Sequence, residues 1–167
     1  MTDAMQDLVD HLRGRHFGKY RGTVTEVEGS TMRLKAKVPA VLADVATGWC
    51  MPCVPYAGKD VGMMFLPEVG SGVWIEFEAG DVSYPVWVGC YWRSGELPDG
   101  ASDKVKSLVT QSGTLSFDDD QGVVTLKDGN GNSHVLDSEG ATVTGGSSKA
   151  FLSNDGVSVN DGALEVT

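Results

Sequence analysis

The chain is short of cysteine, histidine and positive charge. It holds three cysteines and three histidines in 167 residues, with 13 basic side chains against 23 acidic ones and a net charge of −10. An acidic chain without a basic stripe cannot track a phosphate backbone, which argues against nucleic acid as a partner. No apolar run approaches the roughly 18 residues of a membrane-spanning helix, and the N-terminus lacks the apolar core of a signal peptide. Three cysteines without framework spacing point to a reducing compartment rather than a disulfide scaffold. These shortages lead to the expectation of a soluble protein made in the cytoplasm.

Two of the cysteines nevertheless stand in Trp49-Cys50-Met51-Pro52-Cys53, the spelling of a thioredoxin-type redox site. That chemistry needs a helix N-terminus after the first thiol. Here Val54-Pro55-Tyr56-Ala57-Gly58 follows, and Pro55 and Gly58 both break helices. The segment reads as a strand over 49–55, with Trp49, Met51 and Cys53 on one face and Cys50 and Pro52 on the other. Residues three apart in a strand are about 10 Å apart, beyond disulfide reach. Zinc lacks a second pair of soft ligands, since only Cys90 and the scattered His11, His16 and His134 remain. The thiols are expected to be buried and reduced. No metal is expected to be held by the chain itself.

What the chain does have is strand pattern. Residues 1–16 open with a helical stripe, Met5, Leu8, Val9 and Leu12, stopped at Gly14. So short a helix must dock, on its own domain or on a partner. Residues 17–93 alternate as β-strands: Met32, Leu34, Ala36 and Val38 share one face, and Val73, Ile75 and Phe77 share another. "GMMFLP" at 62–67 reads as a further strand, and Ala79-Gly80-Asp81 as a turn. Five or six short strands in so few residues suggest a small closed barrel. Residues 94–112, rich in Gly, Pro and Ser, read as a linker, too short for a catalytic domain.

Residues 113–167 change character. Seven apolar pieces of three or four residues alternate with acidic or Asn-Gly turns, which is the signature of a repeat array rather than a glycine-rich disordered tail. Strands this short, with one apolar residue in two, have no second layer in their own chain. Interchain hydrogen bonding and burial are therefore expected from an obligate oligomer. A prism of three intertwined chains fits, with Leu115, Phe117, Val124, Leu126, Val143, Leu152, Val157 and Val159 as the trimer core. The Asp118-Asp119-Asp120 run reads as a solvated turn, and no pair of catalytic carboxylates stands out, so no enzyme activity and no cofactor are expected.

"FGKYRGTVTEV", "LKAKVPAVLADVATGWCMPCVPYAG" and "MMFLPEVGSGVWIEFEAGDVSYPVWVGCYW" resemble the oligonucleotide/oligosaccharide-binding (OB) barrel of phage baseplate assembly protein V. The same barrel occurs in the central spikes of R-type pyocins, contractile injection systems and type VI secretion. "GNSHVLDSEGATV" resembles the repeats of their triple-stranded β-helix. The resemblance implies an all-β chain: a small OB-type barrel with a short N-terminal helix, then a trimeric intertwined β-helix or prism. It also implies a non-enzymatic homotrimer in the baseplate of a phage tail or tail-like particle. Such a spike would join the hub above, through Leu8 and Leu12, to a membrane-piercing tip below. Some relatives end in a His-x-His pair that binds iron, which this chain lacks. A cone-shaped cap of the proline-alanine-alanine-arginine (PAAR) type is expected instead on Leu164, Val166 and Thr167. A carbohydrate-binding OB module, accessory to a cell-wall hydrolase, is the alternative, with Trp74, Tyr84, Trp87, Tyr91 and Trp92 as a stacking platform.

Overall fold

The computed structural model describes residues 2–166. It divides between Glu96 and Leu97 into two compact units. The expectation placed on Thr167 lies outside the described residues.

The first unit opens with helix α1 (Thr2–Arg13) and continues as β1 (Tyr20–Glu28), β2 (Arg33–Lys37), a four-residue helix α2 (Pro39–Leu42), β3 (Met51–Pro52), β4 (Ala57–Gly58), β5 (Val61–Gly62), β6 (Gly72–Phe77) and β7 (Pro85–Tyr91). Five of these strands form one sheet in the order β2-β1-β6-β7-β3. Its neighbours are antiparallel except β3, which runs parallel to β7. The two ends of the sheet meet just ahead of β3. Cys50 donates its N–H to the Leu34 carbonyl at 2.8 Å, and Thr47 donates to Ala36 at 2.9 Å, so residues 46–50 lie antiparallel to β2. This closes a small barrel of the OB type.

Alternation explains the core. Leu34, Ala36 and Val38 point inward from β2 and its exit, Val73, Ile75 and Phe77 from β6, and Val24, Cys50 and Trp87 complete the buried cluster. Thr47 is the one buried polar side chain among the described residues; its hydroxyl accepts the Ala36 N–H at 3.0 Å and meets the Cys50 sulfur at 3.2 Å. The helix exit is tied to the turn after β6 by His16 donating its N–H to the Gly80 carbonyl and by the Arg15–Asp81 ion pair at 2.9 Å. Gly80 has φ +77°, and a Cβ there would stand 2.9 Å from that of Arg15. Only glycine fits.

Three expectations for this unit need correction. The 49–55 strand shrinks to Met51–Pro52, because Pro52 and Pro55 bring no N–H to a ladder. Residues 63–67 are not a strand; Met64 stands 74% exposed beside the two-residue β4–β5 hairpin. Only Cys50 of the three thiols is buried, while Cys53 and Cys90 are exposed.

The second unit is one eight-stranded antiparallel meander in chain order: β8 (Val105–Val109), β9 (Gly113–Asp118), β10 (Val123–Asp128), β11 (Ser133–Leu136), β12 (Ala141–Gly145), β13 (Ser148–Ser153), β14 (Gly156–Val159) and β15 (Leu164–Val166). All seven apolar pieces of 113–167 are strands. The 94–112 segment, read as linker, is not linker throughout, since β8 pairs residue for residue with β9. Each strand pairs with its neighbour in sequence, so the ladder hydrogen bonds expected between chains are made within this one.

A repeated device closes the turns. The Asp118 carboxylate accepts the N–H groups of Asp120 and Gln121, Asp128 those of Asn130 and Asn132, and Asp137 those of Glu139 and Gly140. Hydrogen bonds from the Asn132 side chain, then from the Asn132 and Asn130 backbone, hold the Asp128 carboxyl below its usual range. Tight local turns of this kind favour intrachain hairpins over strand exchange.

Candidate functional site

Directly opposite residues in an antiparallel ladder share a face. The register of β8–β15 therefore lines up two rows on one side of the sheet. Leu108, Leu115, Leu126, His134, Val143, Ala150, Val159 and Leu164 form one row; Lys106, Phe117, Val124, Leu136, Ala141, Leu152, Val157 and Val166 form the other. The other side carries Ser107, Ser116, Thr125, Val135, Thr142, Phe151 and Ser158 along its middle. One face is almost wholly apolar and the other mostly hydroxylic.

The apolar face has no second layer within its unit. Leu126 and Leu136 are each 53% exposed, and Leu164 and Val166 are each 60% exposed. A contiguous apolar surface of this extent marks an interaction site. All eight residues expected in the trimer core fall in these two rows. Leu164 and Val166, expected at the tip, continue the same rows to the last described strand. Sequence reasoning missed Leu108, Leu136, Ala141 and Ala150 as members. Alternation within "SHVL" would have found Leu136, and recognising β8 would have found Leu108.

The remaining candidates are not gathered into a site. Asp118 accepts the backbone N–H groups of its own turn and Asp119 pairs with Lys106, so these two carboxylates are engaged locally. The five aromatics form no common platform: Trp87 is buried with its indole N–H donated to the Met32 carbonyl at 3.2 Å. Trp74 and Tyr91 pack on each other at 5.0 Å beneath the Arg21 guanidinium, while Tyr84 and Trp92 are exposed. An open apolar groove beside the β4–β5 hairpin offers Asp60 as its only carboxylate, which gives no acid–base pair. Cys50 lies in the barrel wall with its thiol pushed up by burial, the opposite of the acidic first thiol that a thioredoxin-type site needs. On α1, Met5, Leu8 and Leu12 are 64%, 52% and 50% exposed, so the stripe is left uncovered. No helix among the described residues is long and apolar enough to cross a membrane.

A closed barrel followed by a sheet with one uncovered apolar face points to a chain that associates through that face. Comparison with protein families agrees: residues 20–92 match the type VI secretion system/phage-baseplate injector OB domain, and residues 106–165 match the phage baseplate V C-terminal trimerisation domain. The chain belongs to the phage baseplate assembly protein V family, whose domains are structural parts of a baseplate spike. A comparison with curated proteins finds no match. The trimerisation match begins at β8 and ends in β15, so it coincides with the two-row face.

Proposed function

We propose that the protein is the central spike of a contractile phage tail or a tail-like injection particle, acting as a homotrimer between the hub and the tip. The observation that carries this reading is the apolar face of β8–β15. Each strand lays two inward residues on that face, so three chains would bring six to each layer of a three-sided prism. The hydroxyl-rich side would face water. Eight strands at about 4.8 Å spacing give a shaft of roughly 34 Å. Because the ladder is intrachain, the three sheets meet face to face; the intertwining expected from the sequence is not needed to satisfy their backbones.

Leu8 and Leu12 are the hub contact in this reading, since α1 leaves them uncovered on its apolar stripe. At the far end Leu164 and Val166 present apolar side chains on β15, the edge strand of the sheet among the described residues, and Thr167 completes the proposed contact. A cone-shaped cap of the PAAR type covers them by strand addition, and sheath contraction then drives the capped spike into the target membrane. The chain is made in the bacterial cytoplasm and takes its place in the baseplate. Antibodies raised against the barrel should label one end of assembled particles. Label spread along the tube, or none on intact particles, would overturn the placement.

A further inference from the structure

The meander of β8–β15 places its turns along two edges. The chain turns on one edge after β9, β11 and β13, and on the other after β8, β10, β12 and β14. The two edges differ in charge. The first carries Asp120, Glu139 and Asp155, all exposed and none with a side-chain partner among the described residues. Its lysines are already engaged, Lys106 by Asp119 and Lys104 by Asp103 at 3.8 Å. On the second edge the carboxylates are the engaged groups. Asp128 is held by Asn130 and Asn132, and Asp161 lies 3.4 Å from Lys149. Lys127, next to Leu126 at the end of β10, is exposed on the hydroxylic side and has no partner among the described residues.

Three such sheets closed around a three-fold axis bring the acidic edge of each chain against the lysine edge of the next, at every corner. The levels match as well. Lys127 lies on β10 and Asp120 in the turn that enters it; Lys149 lies on β13 and Asp155 in the turn that leaves it. We infer that the corners of the trimer are joined by interchain ion pairs, Lys127 to Asp120 and Lys149 to Asp155 of the neighbouring copy, and that these pairs set the three chains parallel. An antiparallel neighbour would lay acidic edge against acidic edge. The apolar rows alone do not exclude it, because they are apolar at both the β8 and the β15 end. Exposed ion pairs add little affinity one by one, so the corners act mainly by repelling the wrong arrangement. A spike with a hub at one end and a tip at the other needs its chains parallel. The inference rests on the trimer reading above.

The test exchanges the charges of the two edges in the full chain. Lys127→Glu with Lys149→Glu leaves both edges acidic. That trimer should dissociate at about tenfold higher concentration than wild type at low salt, a gap that closes in about 1 M salt. Adding Asp120→Lys and Asp155→Lys restores opposite edges with the signs swapped and should restore the trimer. Wild-type and fully swapped chains refolded together, one of them isotope-labelled, should sort into separate trimers by native mass spectrometry, since every mixed corner sets like charges together. Statistical mixing of the two chains, or a Lys127→Glu, Lys149→Glu trimer as stable as wild type at low salt, overturns the corner pairing alone. A monomeric wild-type chain overturns the pairing and the trimer reading together.

Discussion

Leu126 stands directly opposite Leu115 across the β9–β10 ladder, on a face that the rest of their unit leaves uncovered. The pair is one rung of two apolar rows that run from β8 to β15. A monomer would hold such rows in water, and the trimer proposed above would bury them. In the proposed trimer these rungs carry the energy of association.

Val159 tests the rows near their far end. It lies opposite Ala150 and Leu164, and Val159→Asp would bring three carboxylates together inside the prism. Burial and mutual repulsion raise their protonation range in the trimer above that in separated chains. The penalty is therefore absent at low pH, where the groups are neutral in both states, and grows as pH rises through the ordinary carboxylate range. Sedimentation should show a trimer near pH 4 and dissociation above pH 6, with a loss of about 3–5 kcal/mol. A variant trimer as stable as wild type at pH 8 would mean that Val159 faces water.

Gly140 tests the turn that sets the register of β11 and β12. Its φ is +153°, and a Cβ there would collide with the Leu152 carbonyl oxygen on β13. Gly140→Ala should cost at least about 1–3 kcal/mol. Gly131→Ala, at φ +90° in an open turn, adds strain without a collision and should cost less. Thermal denaturation of both variants checks the order, and the reverse order would contradict the packing of β12 on β13.

The thiols should separate into three classes. Cys53 is exposed and should react first with a thiol reagent. Cys90 is also exposed, but desolvation and then the Glu68 charge push its thiol up, so its rate should rise to a plateau only at a pH above that of an ordinary thiol. Cys50, buried against Thr47, should react only on unfolding. Mass spectrometry of quenched time points reads all three, and early labelling of Cys50 would refute the closed barrel wall.

Much of this was legible in the sequence, for a physical reason. The seven strands from β9 to β15 are separated by turns rich in Asp, Asn and Gly, and at three of them an Asp side chain makes the closing hydrogen bonds, so local chemistry marks them. Strands β1, β2, β6 and β7 likewise show their alternation. Strand β8 escaped because "VKSLV" follows a Gly-, Pro- and Ser-rich stretch and owes its conformation to β9 rather than to its own pattern. Residues 46–66 escaped because they close the barrel through isolated bridges and a two-residue parallel pairing. The alternation of Cys50 and Cys53 was readable; which of them faced the core was not. His134 looked isolated because its row is visible only once the register is known.

The helix stripe separates docking from folding. Leu8→Ser with Leu12→Ser removes two half-exposed side chains of α1, so the melting temperature should move by less than a few degrees and the oligomeric state should hold. Incorporation into particles should fall sharply, as read by immunoblot of purified particles. Normal incorporation would reject the hub contact, and collapse of the isolated protein would show that the stripe packs at home.

The most direct test of the account is the mass of the full chain in solution at micromolar concentration, by light scattering or native mass spectrometry. A trimer, three times the 17.7 kDa chain mass, is predicted, and a chain cut after Glu96 should run as a monomer. A monomeric full-length chain, or a barrel fragment that forms an equally stable trimer by itself, would contradict the claim that the β8–β15 face assembles the spike.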